Sequence, residues 1–209
     1  MCLLELPLEG EQKMKNKIGN VFIIIGLMLV IGAMAIVGNN IYDEWNANNS
    51  SAKAVNKLTD YILETELIPE YVTNPDMEMP TAEVDGWNYI GIISIESLDV
   101  TLPVIENWSE QAAYISPCRY YGSAYKDNMV IAAHNFPSHF GKISDLTSED
   151  EIVFTDMAGN NFYYRPVSLE TLQPTDIEEM TQSENDLTLF TCTIGGRQRV
   201  TVRCDRVIK

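Results

Sequence analysis

Three residues in the C-terminal half of the chain have side chains suited to acyl chemistry: Cys192, Arg199 and His134. A thiolate attacks carbonyl carbon, and an imidazole moves protons near neutral pH. A guanidinium stays protonated, so it serves as a donor to developing negative charge rather than as a base. Cys192 and Arg199 flank Gly195-Gly196, which separates two β-rich runs. A Gly-Gly pair in that setting predicts a two-residue hairpin, because a type I′ turn needs φ > 0 at both central positions. Ile194 then faces Arg197, Thr193 faces Gln198 and Cys192 faces Arg199. Cross-strand partners lie about 5 Å apart at Cβ and project to the same side, so a thiol and a guanidinium share one face.

The opposite face tests this register. It carries Leu187, Leu189, Thr191, Val200, Val202 and Cys204, a mostly apolar set suited to a core. The Cys192 face carries Thr188, Phe190, Arg199, Thr201 and Arg203. A slip by one residue exchanges the two sets and turns the arginines inward. Cys204 therefore reads as a small core residue. Cys118, beside Arg119, is the rival thiol, and His139 the rival imidazole. The 4 cysteines are scattered rather than patterned as a disulfide framework. With no C-x-x-C pair and only 2 histidines, a zinc site is not indicated either.

The hairpin resembles the end of a sortase domain, in which a Thr-Leu-x-Thr-Cys strand end is followed by an Arg that opens the next strand. Here these are Thr188-Leu189-Phe190-Thr191-Cys192 and Arg199-Val200-Thr201-Val202. The required upstream His, at a strand end, is supplied by Val130-Ile131-Ala132-Ala133-His134. Ala133 stands where many sortases have Gly, a departure that keeps a small residue. The likeness spans residues 84–209 and is nearest the class B and D groups. It implies Cys192 as nucleophile, His134 as proton donor and acceptor, and Arg199 as oxyanion and backbone donor. It places Thr191 on the substrate side, acting through its backbone or hydroxyl, although an ideal strand turns that side chain toward the core. It implies no metal or organic cofactor.

The segments around these residues are short and β-rich. Residues 87–96 and 100–105 read as strands around a turn, 110–115 as a short helix or turn, and 129–134 as a buried strand. Residues 140–146 read as a helical turn, and 151–156 with 161–167 as a hairpin. With the final hairpin this predicts seven or eight strands, no long helix and an all-β, closed or nearly closed barrel over residues 84–209.

The N-terminal part has a different texture. Residues 1–17 end basic, with Lys13, Lys15 and Lys17, and are expected to be cytoplasmic. Residues 18–41 contain no charged side chain, and Asp43 and Glu44 follow. That run suits a single transmembrane anchor over 18–38 rather than the shorter apolar core of a cleaved signal, with the remainder outside the cell. Residues 39–83 read as a helical stalk to about Leu67 and then a linker broken by Pro69, Pro75 and Pro80. Asn74-Pro75-Asp76-Met77 reads as a tether, with coverage of a groove as the sharper alternative.

The formal charge of −16 over 209 residues argues against a nucleic-acid partner, which calls for a basic stripe. The resemblance implies a membrane-anchored cysteine transpeptidase. It would cleave secreted proteins at a C-terminal Leu-Pro-x-Thr-Gly-like sorting signal and join the acyl product to a cell-wall precursor amine. Two alternatives stay open on the residues alone: a thiol hydrolase using the same site, and a non-catalytic wall-binding β-domain.

Overall fold

The computed structural model describes residues 9–59, 62 and 68–208, with side chains from Phe22 onward. The first eight residues of the expected cytoplasmic segment, and most of 60–67 in the expected stalk, lie outside the described residues. The chain forms two compact units, residues 1–43 and 44–209.

In the first unit the uncharged run lies within helix α1 (Glu9–Thr59). At about 1.5 Å per residue its stretch from 18 to 41 is about 36 Å long, enough to cross a hydrocarbon core of about 30 Å. From Phe22 to Ile41 its side chains are open to the surroundings, with Phe22 and Leu29 each 69% exposed. A helix of that length and composition fits a membrane span.

The second unit is a closed barrel. In chain order its strands are β1 (Ala82–Val84), β2 (Trp87–Ile95), β3 (Val100–Ile105), β4 (Cys118–Tyr121) and β5 (Met129–Ala132), followed by β6 (Ile152–Asp156), β7 (Asn161–Leu172), β8 (Leu187–Cys192) and β9 (Arg199–Val207). They run side by side as β1-β2-β3-β4-β5-β8-β9-β7-β6, and pairing of β2 with β6 closes the cylinder. Strands β2 to β9 make an eight-stranded barrel, and β1 is laid on β2. Closure brings two backbones unusually close at Gly91: a Cβ there would lie 2.2 Å from the Thr155 carbonyl oxygen and 2.7 Å from the Phe154 ring. The short helices are α2 (Glu70–Thr73), α3 (Glu110–Ala113) and α4 (Ile177–Thr181).

Inward-facing residues of seven barrel strands, β2, β3 and β5 to β9, form one core, including Ile93, Ile131, Phe154, Phe162, Leu189 and Val202. A second cluster lies outside the barrel, where the last turns of α1 pack Ala54 and Leu58 with Tyr89, Ile105, Ala112 and Cys118. Ser51 Oγ donates to the Ile115 carbonyl at 2.8 Å, so this helix end supports the segment carrying α3.

The Pro-broken segment is fastened to the barrel. Tyr71 stacks on Tyr125 with centroids 4.6 Å apart, Met79 enters the core, and Asp76 pairs with Lys126 at 2.9 Å.

The β8–β9 hairpin keeps the expected register, with Cys192 opposite Arg199 and Leu187 opposite Cys204. The turn itself differs from a two-residue type I′ connection. Gly195 and Gly196 do take φ of +85° and +71°. Gly196 N–H, however, donates to the Thr193 carbonyl at 2.8 Å. Gln198 N–H donates to Thr193 Oγ at 3.1 Å rather than to that carbonyl. The ladder ends at Cys192 and Arg199, and a four-residue loop replaces the predicted Ile194–Arg197 pair. The four-residue loop, closed by Thr193 N–H donating to the Gln198 carbonyl, preserves the register.

Candidate active site

Strand order explains how three residues far apart in sequence meet. Strand β8 lies between β5 and β9. The β5–β8 pair is parallel, with Met129 opposite Leu187 and Ala132 opposite Phe190. Continued two residues past the end of β5, that register sets His134 beside Cys192. On the other side the antiparallel register sets Arg199 beside Cys192. Neighbouring strands are about 4.8 Å apart, so the thiol is flanked by an imidazole and a guanidinium. All three line one cavity of about 200 Å³.

The backbone past β5 is held to β8. Ala133 N–H donates to the Phe190 carbonyl at 3.1 Å. Thr191 Oγ donates to the Ala133 carbonyl at 2.8 Å. Thr191 is buried on the core side, as its strand position requires, and its hydroxyl is engaged there. His134 then begins a tight loop, in which its carbonyl accepts from Phe140 N–H at 3.2 Å.

The His134 ring packs between Tyr114, at 4.5 Å centroid separation, and Phe136, at 5.1 Å. Burial lowers its pKa below the usual value, while the Glu110 carboxylate on the cavity wall pulls in the opposite direction. Its Nε2 has no partner among the described residues and is not committed to a structural bond. Arg199 directs Nη1 to the carbonyls of Gly196, at 3.1 Å, and Gln198, at 3.2 Å. Those bonds orient the fork from the turn side.

The rivals are placed elsewhere. Cys118 is fully buried, and burial pushes its thiol up to about 12. Cys204 is likewise buried in the core, with its pKa raised by burial. Cys192 is the partly exposed cysteine among the described residues. His139 has no exposed surface, and burial lowers its pKa to about 4, with His134 adding to the shift. It packs edge-on against Phe136 and does not line the cavity.

The cavity floor is apolar, formed by Ala132, Ala133 and Phe190. Trp108, Ala113 and Tyr120 form one side. The other side comes from the connection between β7 and β8, through Gln173, Pro174, Asp176, Ile177 and Met180. No residue of the 68–83 segment lines it, so that segment sits away from this cavity.

Two features were not foreseen from the sequence. The connection 173–186 contains α4 and covers the Cys192 face of the hairpin, so Thr188, Thr201 and Arg203 are buried together with the core face. Strand β4, which contributes Tyr120, was also missed; the aromatic pair Tyr120-Tyr121 was its available signal.

Comparison with known proteins agrees with this architecture. The family model for the sortase domain matches residues 93–207, more than half of the 209-residue chain. Sortase A of Bacillus anthracis is 26% identical over 186 residues, covering 82% of this chain and 87% of that protein. Among solved structures, the Clostridium perfringens sortase D5 transpeptidase has a TM-score of 0.59 at 21% identity, covering 77% of this chain and 99% of that one. Sortase A from Corynebacterium diphtheriae has a TM-score of 0.51 at 20% identity, covering 78% and 85%. Sortase C1 of GBS pilus island 1 has a TM-score of 0.51 at 20% identity, and the match covers 58% of this chain and 65% of that one. The structural likenesses establish the fold, and the relatives span several sortase classes. From the domain match over residues 93–207, the chain belongs to the sortase family, whose members are cysteine transpeptidases that attach proteins to the cell wall.

Proposed function

We propose that this chain is a membrane-anchored transpeptidase in which Cys192 is the nucleophile, His134 the proton carrier and Arg199 the oxyanion donor. The observation that carries the reading is the convergence of these side chains, from three neighbouring strand ends, on one cavity.

The donor is a secreted protein with a C-terminal Leu-Pro-x-Thr-Gly-like signal. Cys192 sulfur bonds to the Thr carbonyl carbon as the thiol proton passes to His134, and the carbonyl oxygen takes up negative charge within reach of Arg199. The C–N bond to Gly then breaks, and His134 gives the leaving amine its proton. A cell-wall precursor amine attacks the thioester and yields a proton to His134. The new amide forms as the thiolate leaves. No metal or organic cofactor enters this sequence. Thr191 serves the site through its backbone, since its hydroxyl is held by Ala133. The apolar floor and the α4 wall suit the Leu-Pro part of the signal.

The anchor reading puts the N-terminus in the cytoplasm and the barrel outside, because lysines precede the apolar run and acids follow it. Protease treatment of intact cells tests this: cleavage within residues 44–209 supports it, and protection alongside cleaved surface controls refutes it.

The chemistry is tested with the full chain in detergent micelles, a library of sorting-signal peptides and mass analysis of the protein. The expected product is an acyl adduct on Cys192 that an added amine converts to a new peptide bond. Resolution by water alone, whatever amine is present, identifies a hydrolase. Peptide binding with no adduct identifies a binding module.

A further inference from the structure

Arg203 lies on the same face as Cys192, four residues beyond Arg199, yet only 5% of it is exposed. A buried cation is costly unless its donors are satisfied, and here they are. Nε pairs with Glu170 on β7 at 2.6 Å. Nη1 donates to Thr188 Oγ on β8 at 2.9 Å and to the Met180 carbonyl at 3.2 Å. Nη2 donates to the Glu179 carbonyl at 2.6 Å. Two of these bonds go to consecutive carbonyls near the C-terminal end of α4, where helical carbonyls lack partners within the helix.

Met180 is held through both its backbone and its side chain. Its carbonyl is bound by Arg203, and its sulfur accepts from Thr201 Oγ at 3.8 Å. Its side chain packs with Val130, Ala132 and Phe190, and it forms part of the cavity wall. Strand β9 is already paired along its length with β7 and β8. The guanidinium therefore adds an attachment between the barrel and the one-turn helix that walls the cavity.

We propose that Arg203 is a positioning residue: it fixes the Met180 wall and thereby sets the cavity's selectivity for the apolar part of the donor peptide. The selectivity half of this inference rests on the functional reading above, while the attachment half does not. Arg203 touches no reacting group. Its loss acts through Met180 on binding, in contrast to the loss of Arg199, which acts on the chemical step.

The test uses R203K, which keeps the charge but loses the planar fork able to span two carbonyls, a carboxylate and a hydroxyl. Hydrogen exchange is expected to accelerate across residues 176–182 and to stay unchanged in β5 and β8. In acylation kinetics KM for the donor peptide should rise about tenfold with kcat within about twofold, the pattern of lost uniform binding. Discrimination between Leu and smaller or larger side chains in the peptide should narrow. M180A should narrow it too, and R203K combined with M180A should be little worse than M180A alone, because both act on one wall. If R203K does not fold, E170Q, which removes only the countercharge, is expected to show the same pattern at lower amplitude. Unchanged exchange in 176–182, or a fall in kcat with selectivity intact, overturns the proposal. A wild-type chain that acylates with no library peptide refutes the functional reading instead. The exchange comparison needs no substrate and still decides whether Arg203 holds the wall.

Discussion

Thr191 Oγ donates to the Ala133 carbonyl at 2.8 Å, which ties the residue before Cys192 to the residue before His134. This bond is buried and crosses between two parallel strand ends, where the β5 ladder has stopped. T191V removes the donor and leaves a buried carbonyl without its partner, at a cost of about 1–3 kcal/mol. The expected result is a lowered melting temperature together with slower acylation, because the thiol and imidazole lose their common reference. T191S should recover most of both. Melts and single-turnover acylation on the two variants check this, and equal behaviour of Val and wild type at position 191 sinks the idea.

The two cysteines of the hairpin should separate stability from chemistry. Cys204 is fully buried in the core, so C204S brings a hydroxyl into an apolar site at a cost of roughly 1–3 kcal/mol. Its activity at low temperature should remain. C192A should melt like the wild type and form no acyl-enzyme. Melting curves and adduct mass measure both, and a reversal of the two phenotypes contradicts the proposed roles.

Arg199 and Arg197 flank the same loop, but Arg199 is opposite Cys192 and lines the cavity, whereas Arg197 is exposed in the loop. Loss of an oxyanion donor typically costs about 10²–10³ in kcat. R199A should lose at least that, R197A less than about tenfold, and R199K should rescue poorly for want of the planar fork. Single-turnover kinetics decide among them. A crippled R197A beside a normal R199A contradicts the assignment.

His139 gives the fold an acid sensitivity of known sign. Burial lowers its pKa to about 4 in the folded state, against about 6.5 when unfolded. Between those values the unfolded chain binds more protons, so stability falls as pH drops from about 6.5 toward 4. H139F should flatten that part of the stability profile, as urea melts from pH 7 to pH 4 would register. An unchanged slope means that His139 is not its source.

Gly91 marks the closure seam. An added methyl group would meet the Thr155 carbonyl oxygen at 2.2 Å, a backbone atom that cannot swing aside. G91A should cost about 1–3 kcal/mol or more, as overpacking does. Denaturant melts test this, and a neutral effect would mean that β2 and β6 can separate without loss.

What the sequence by itself determined was parity and local pairing. Alternation along 187–204 sorted Leu189 and Val202 from Cys192 and Arg199, because a strand has period two and one face must meet the core. The position of the glycines set Cys192 opposite Arg199, and this survived a different turn because the four-residue loop preserved the pairing. The uncharged run at 18–41 was legible from length and charge alone.

Tertiary structure decided what covers each face and which distant strand lies alongside. Arg203 looked like an open-face cation, and it is buried because connection 173–186 folds over it and supplies the carbonyls and Glu170 the carboxylate that satisfy it. His139 and His134 are equivalent as residue types. One is sealed inside and the other lines the cavity, because the parallel β5–β8 register, spanning 58 positions of sequence, continues to His134. No local periodicity encodes that register. It follows from closing the barrel, where the inward faces of seven of its eight strands must fit one core.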